Sequence, residues 1–375
     1  MVIRSLLLTV QQTLFILKLM KALENTIVRV ALTVIVFGGG FALALWLANV
    51  DVRLLADRFL RTRYALALLS VPIILLSHLV RAWRWQSLLT PIKPAISMVN
   101  LFSAVMVGYA ANNIVPRSGE VLRPYTLRRR EQLPLSALIA SVIVERFIDI
   151  VNLLLFLSVA LYVIGEQLQQ VLPAANLPRI LNSVALSSLM LLVLLVVFAG
   201  TTFIERIVRF AVAPFAPSLW ERIDCALQSF KKGLAIVRQP GRFPVIIAQS
   251  LLIWLLYVLP VYVMCLAFPT EPLQSCSFVD ACVILLIMAV ATTLTPPVPG
   301  GFIVIPALLG SALVPLFGCT REDAAAFAFL TFMLNYLPVT VLGGLFMMRE
   351  QVRPNSASAS TSDSHSHSTD EAAGE

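Results

Sequence analysis

Charged residues are scarce in this chain: 13% of its 375 residues are Asp, Glu, Lys or Arg, against 59% hydrophobic residues. With a mean hydropathy of +0.88, that balance excludes an ordinary soluble domain and leaves a polytopic membrane protein. Histidine occurs three times and cysteine five times. Cys225, Cys265, Cys276, Cys282 and Cys319 make no CxxC pair and no Cys/His cluster with metal-ligand spacing, so no metal, cofactor or redox chemistry is expected. His78 is the only histidine near a predicted span, and a lone histidine without a nucleophile or base beside it reads as a packed residue. The sequence therefore does not read as an enzyme, and no catalytic residue is assigned. The net charge of +8 does not point to nucleic acid, because the basic residues cluster beside apolar segments as the positive-inside rule places them.

What the chain has instead is apolar runs long enough to cross a bilayer, which takes about 20 residues. Spans are predicted over 28–49, 64–82, 135–163, 181–203, 244–268 and 324–348. Two more apolar segments, 97–115 and 279–317, are interrupted by Pro, Gly and small polar residues. The connection 117–131 carries Arg117, Arg123, Arg128, Arg129 and Arg130, and 204–243 carries seven Lys/Arg, so both are assigned to the cytoplasm. The stretch 269–280 has Glu271 and Asp280 and no basic residue, which suits the outside. On that count 97–115 enters and returns from the cytoplasmic side and 279–317 from the outer side. Arg53, Arg58, Arg61 and Arg63 then fall outside, against the rule, and Asp51 and Asp57 offset them only in part.

The fold class expected is all-α, a membrane helix bundle with two re-entrant hairpins. Span, hairpin, span occurs twice, over 64–163 and 244–348, as in an inverted repeat whose interrupted segments mark a transport site. Residues 1–27 read as an N-terminal interfacial segment, 28–353 as the membrane domain, and the Ser-rich 354–375 as a disordered tail. Both termini are expected in the cytoplasm.

Three groups of residues are candidates for chemistry. Glu145, Arg146 and Asp149 lie inside the span 135–163, where an ionisable side chain costs roughly 2.5–3.5 kcal/mol and normally faces a bundle interior, a partner or a polar path. Glu145 and Asp149 are one turn apart and share a face. A site on a polar pathway and a structural ion pair are the two readings. The second group closes the first hairpin: Asn112, Asn113, Pro116, Arg117, Glu120 and Arg123. Pro116 stops a helix, and Arg117 and Arg123 can grip phosphate with a bidentate fork; the alternative is an ordinary loop with orienting arginines. The third is Pro299-Gly300-Gly301 in the second hairpin, preceded by Pro296 and Pro297, where a broken helix would expose backbone groups. Arg81-Ala82-Trp83-Arg84-Trp85, at a cytoplasmic span end, reads as an interface anchor.

In this order, Arg81 to Trp85, then Asn113, Pro116, Arg117-Ser118-Gly119-Glu120 and Arg123, then Glu145-Arg146 and Asp149, then Pro299-Gly300-Gly301, the chain resembles the membrane domain of bacterial lysylphosphatidylglycerol synthases, the flippase-like or UPF0104 family. The resemblance covers 28–350. It implies a lipid-translocating domain in a bacterial or archaeal cytoplasmic membrane, here without the soluble synthase, since only the Ser-rich tail follows Arg353. Two departures stand out: Ile303 and Pro306 follow the Pro-Gly-Gly motif where the family has Gly and Glu, and Thr331 lies where an Arg is common. The second half thus lacks a charge pair.

The function expected is movement of a polar or anionic phospholipid across the membrane, with membrane lipids as partners and substrates. Arg117 and Arg123 would receive the phosphate, while Glu145 and Asp149 would meet a cationic part of the head group or couple protons. The runner-up is a non-transporting scaffold for an envelope-lipid biosynthetic enzyme.

Overall fold

A computed structural model describes residues 49–115, 117–163, 240–294 and 301–352, with isolated positions elsewhere. Every regular element among the described residues is helical. The predicted interfacial segment, the span 181–203, nearly all of 28–49, and the tail 354–375 lie outside the described residues, as do Pro116, Pro299 and Gly300.

The helices are α1 (Val52–Arg61), α2 (Tyr64–Ala67), α3 (Ser70–Leu89), α4 (Met98–Ile114), α5 (Gly119–Glu131), α6 (Leu135–Val163), α7 (Phe243–Ala267), α8 (Phe278–Leu294), α9 (Gly301–Phe317) and α10 (Arg321–Val352). Three stretches are long and apolar enough to cross a membrane by length and composition: Tyr64–Leu89, Pro244–Ala267 and Arg321–Arg349. Helix α6 has the length, with 29 residues, but carries the three ionisable groups. Large apolar side chains such as Leu76, Leu79, Leu155, Val159, Leu251, Leu255, Val341 and Leu345 remain exposed, the outward face expected of helices solvated by lipid.

The chain forms two compact units. The first takes 49–69 and 261–333, the second 70–163, 240–260 and 334–352. In the first unit, Asp51 caps α1 by accepting from the backbone N–H groups of Arg53 and Leu54. Helix α10 starts on a reciprocal cap: the Thr320 hydroxyl accepts from the Asp323 N–H at 3.2 Å and donates to the Asp323 carboxylate at 2.7 Å. Asp323, buried, also meets Arg58 Nε at 2.8 Å and the Thr270 hydroxyl at 2.9 Å. Arg58 therefore has a partner that its breach of the positive-inside rule did not suggest.

In the second unit α4 and α5 form a tight helical hairpin. A Cβ on Gly119 would sit 1.9 Å from the Gly108 carbonyl oxygen, so the two backbones touch where only glycine allows it. The Asn112 side-chain oxygen accepts from the Gly119 N–H at 2.8 Å, and the Ser118 hydroxyl donates to the carbonyls of Ala111 and Val115. Arg117 takes a left-handed φ of 66° in this turn, a cost the surrounding bonds offset. Helix α10 crosses α4 just as closely, since a Cβ on Gly343 would lie 2.3 Å from the Met106 carbonyl oxygen. Asn113 secures that crossing: its amide donates to Thr340 at 2.6 Å, and the Tyr336 hydroxyl donates to its carbonyl at 2.7 Å. The core here is apolar, with Trp85, Leu88, Leu89, Leu101, Val105, Leu127, Leu138 and Val144 buried together.

Two expectations change. Residues 97–115 do not fold back within themselves; Met98–Ile114 is one helix, the chain turns beyond it, and α5 is the returning leg. The connection 117–131 is correspondingly a helix and not a loop, with Arg123 buried in it and the arginine run 128–130 in its last turn, where cations suit the helix dipole. The physical reason is the glycine contact, which brings α5 against α4. In the second broken segment α8 and α9 pack on each other, with 295–300 between them outside the described residues.

Candidate functional site

Two helices of the second unit supply the centre. On α6, Glu145 and Asp149 face α3; at 1.5 Å per residue Glu145 lies about 15 Å from the helix start at Leu135, and its side chain is fully buried. On α3, Arg81 and Arg84 project toward them, three residues apart and therefore neighbours on the helix surface. Arg81 NH1 bridges the two carboxylates, 2.7 Å from Glu145 Oε1 and 2.9 Å from Asp149 Oδ2. Its Nε and NH2 both donate to the Tyr257 hydroxyl on α7, at 3.1 and 2.9 Å. Arg84 NH2 pairs with Asp149 Oδ1, and its NH1 donates to the Ser250 hydroxyl at 3.0 Å.

A third arginine arrives from α5. Arg123 NH1 donates to Glu145 Oε1 at 3.0 Å, and NH2 lies 2.9 Å from Oε2. Its guanidinium stacks on Trp85, 3.9 Å from the ring centroid, and Trp85 is itself fixed by donating to the Ser141 hydroxyl at 2.9 Å. Cation–π contact of this kind partly replaces hydration for a buried guanidinium. Arg146 closes the group at its outer edge, 3.6 Å from Asp149 Oδ2 and 4.0 Å from Glu120. Side-chain exposure rises outward: at most 5% for Arg81, Arg84, Arg123 and Glu145, 19% for Asp149, and 37% for Arg146. The network is sealed at one end and reaches the surface of the unit at the other.

Charge does not balance within it. Among the described residues four arginines meet the two carboxylates Glu145 and Asp149, an excess of two positive charges, which half-exposed Glu120, 4.0 Å from Arg146 at the outer edge, reduces to one. Burying charge is costly unless it is paired, and the aromatic faces of Trp85, Tyr109 and Tyr257 spread the excess without cancelling it.

Of the residues singled out in the sequence, the structure brings Arg123, Glu145, Arg146 and Asp149 together and sets Glu120 at their edge. Arg117 is exposed and makes no ion pair among the described residues. Asn112 and Asn113 serve the hairpin and the α4–α10 crossing. Gly301 begins α9, in the first unit. Arg81, Arg84 and Trp85 are buried in the network, which overturns their reading as interface anchors; of that motif only Trp83 is exposed. A signal was present: two carboxylates and one arginine on α6 left a partner to be found, and Arg81, Arg84 and Trp85 share one helix face by spacing. His78 is buried with its ring 4.3 Å from Tyr109, packed as a lone histidine is expected to be.

The family model described as lysylphosphatidylglycerol synthase TM region matches residues 27–343. The chain belongs to this family. Two relatives are described as UPF0104 membrane proteins. One, from Pyrococcus horikoshii, is 23% identical over 326 residues, 82% of this chain and 93% of that protein. The other, from Methanocaldococcus jannaschii, is 34% identical over 95 residues, 24% of this chain and 27% of that protein. No solved structure matches. As a member of the lysylphosphatidylglycerol synthase TM family, the chain is a membrane protein, and the resemblance read from its ordered motifs holds across all but its ends.

Proposed function

We propose that this chain moves a polar or anionic phospholipid across the cytoplasmic membrane, with both termini inside. The observation that carries the reading is the arginine–carboxylate network of α3, α5 and α6: enclosed at one end, open at Arg146 and Asp149, and with more arginines than carboxylates among the described residues. A structure needing only to pack would do better with apolar side chains of similar volume. Charges kept at this depth are expected on a substrate path. In this reading the head group enters beside Arg146 while its acyl chains stay in lipid along the exposed apolar faces of the bundle.

The two hairpins would then be re-entrant and related as inverted repeats, with α4–α5 one of them and α8–α9 the other. The absence of the expected second-half charge pair, with Pro306 where the family has Glu and Thr331 near where it has Arg, favours the alternative, a scaffold for an envelope-lipid enzyme. Purified protein in liposomes, with a panel of head-group-distinct labelled phospholipids in both leaflets, separates the two. Transport predicts that label in the inner leaflet becomes accessible to an impermeant quencher faster than in protein-free vesicles; a scaffold predicts no difference for any lipid.

A further inference from the structure

We infer that the network selects a head group that is anionic at its phosphate and carries no amine, in preference to the cationic aminoacylated lipid that the family's description brings to mind. This rests on the proposed lipid-handling function and specifies its substrate class.

The two buried carboxylates are committed, and Glu120 at the outer edge stands 4.0 Å from Arg146. Glu145 lies within 3.0 Å of guanidinium nitrogens of both Arg81 and Arg123, and Asp149 pairs with Arg81 and Arg84 and stands 3.6 Å from Arg146. An incoming ammonium would have to displace an arginine from a carboxylate and would add to an existing positive excess. Donors, by contrast, are in surplus. The Nε–H groups of Arg84 and Arg123, both shielded from solvent, have no hydrogen-bond acceptor among the described residues, and that of Arg146 has only the Glu120 carboxylate at 4.0 Å. A phosphate supplies what they lack: several acceptor oxygens, negative charge, and a geometry matched to the planar guanidinium fork. Arg146 stands at the exposed edge and would meet it first. Arg123 and Arg84 lie behind, held in place by Trp85 and Ser250.

The test measures binding to the full-length protein in detergent. The probes are short-chain phosphatidic acid, short-chain lysyl-phosphatidylglycerol and inorganic phosphate. Phosphatidic acid should bind about tenfold more tightly than the lysyl lipid, because charge-assisted hydrogen bonds replace repulsion, and more tightly than inorganic phosphate, which has no acyl chains. The variant Arg146→Gln, whose partly exposed side chain can be lost without unfolding, should remove most of that preference, while Arg349→Gln should keep it. Equal or tighter binding of the lysyl lipid, or a preference untouched in Arg146→Gln, would overturn the assignment and leave lipid transport standing. Equal affinity for inorganic phosphate would make this an anion site and not a lipid site. Transport itself fails separately, in liposomes, if no lipid moves.

Discussion

In the first unit Asp323 is enclosed by Arg58, Thr270 and Thr320, and Arg58 is shared with Asp57, which also pairs with Arg61, so that two carboxylates meet two guanidiniums. In the second, three buried arginines and a fourth at the edge surround Glu145 and Asp149, and positive charge is left over. Both clusters are buried and both join helices distant in sequence, yet they are different objects. A cluster whose charges balance and which also caps a helix fixes the fold. A network with unspent donors and unspent charge holds its helices only at an electrostatic cost, which an anion would relieve. Burial of charge alone does not distinguish a site from a strut; on the proposed function, the imbalance is the feature that does.

That contrast breaks most severely at Glu145. Replacing it by Gln removes the one carboxylate shared by Arg81 and Arg123, and leaving buried cations unpaired should cost about 3–5 kcal/mol. Thermal unfolding in detergent should show a large drop or failure to accumulate. Asp323→Asn should cost less, about 1.5–3 kcal/mol, the range for hydrogen bonds to a charged group, since the amide keeps one acceptor oxygen for Thr270 and its nitrogen can donate to the Thr320 hydroxyl. If the first-unit cluster is a strut, this variant loses stability but keeps its head-group preference; a changed preference at normal stability would merge the two clusters into one function.

Gly119→Ala tests how the third arginine is delivered. The new methyl would meet the Gly108 carbonyl, and overpacking of this kind costs about 1–3 kcal/mol. Opening the hairpin should also draw Arg123 off Trp85, so indole fluorescence should shift along with the melting temperature. A stable variant with an unshifted spectrum would mean that α5 is positioned by something other than the glycine contact. The smallest effect is expected at Arg117. Its side chain is exposed, so Arg117→Lys should leave stability within about 0.5 kcal/mol. If Arg117 also touches a phosphate on its way to Arg146, lipid movement slows even though charge is kept, because an ammonium lacks the planar fork; a rate equal to that of Arg129→Lys would make it an orienting charge only.

Much of the helical layout could be read from the chain because long apolar runs and their breaks are local signals. The spans 64–82, 244–268 and 324–348 each fall in helices long and apolar enough to cross a membrane, and Glu145 and Asp149 announced themselves by their cost in an apolar stretch. What stayed hidden was pairing. The spacing of Arg81, Arg84 and Trp85 marks a shared helix face, but it does not say what that face meets, because the partner of Arg84 is Asp149, 65 residues away. Nor does a run of arginines after a hairpin tip reveal that Arg123 turns inward while Arg128 turns out; the glycine contact of α4 with α5 decides that, and it exists only in the folded chain. The same blindness affects experiment. Replacing Glu145, Arg146 and Asp149 together by apolar residues, a natural design from the sequence, would strand Arg81, Arg84 and Arg123 and test stability before it tested transport.

The claim that the unbalanced network moves lipid is tested most directly by the rate at which a labelled phosphatidic acid crosses proteoliposome membranes with wild-type protein and with Arg146→Gln. The account predicts a rate above that of protein-free vesicles for the wild type and a fall of about tenfold or more in the variant, with unchanged reconstitution yield. A wild-type rate equal to that of empty vesicles, or a variant as fast as the wild type, would contradict it.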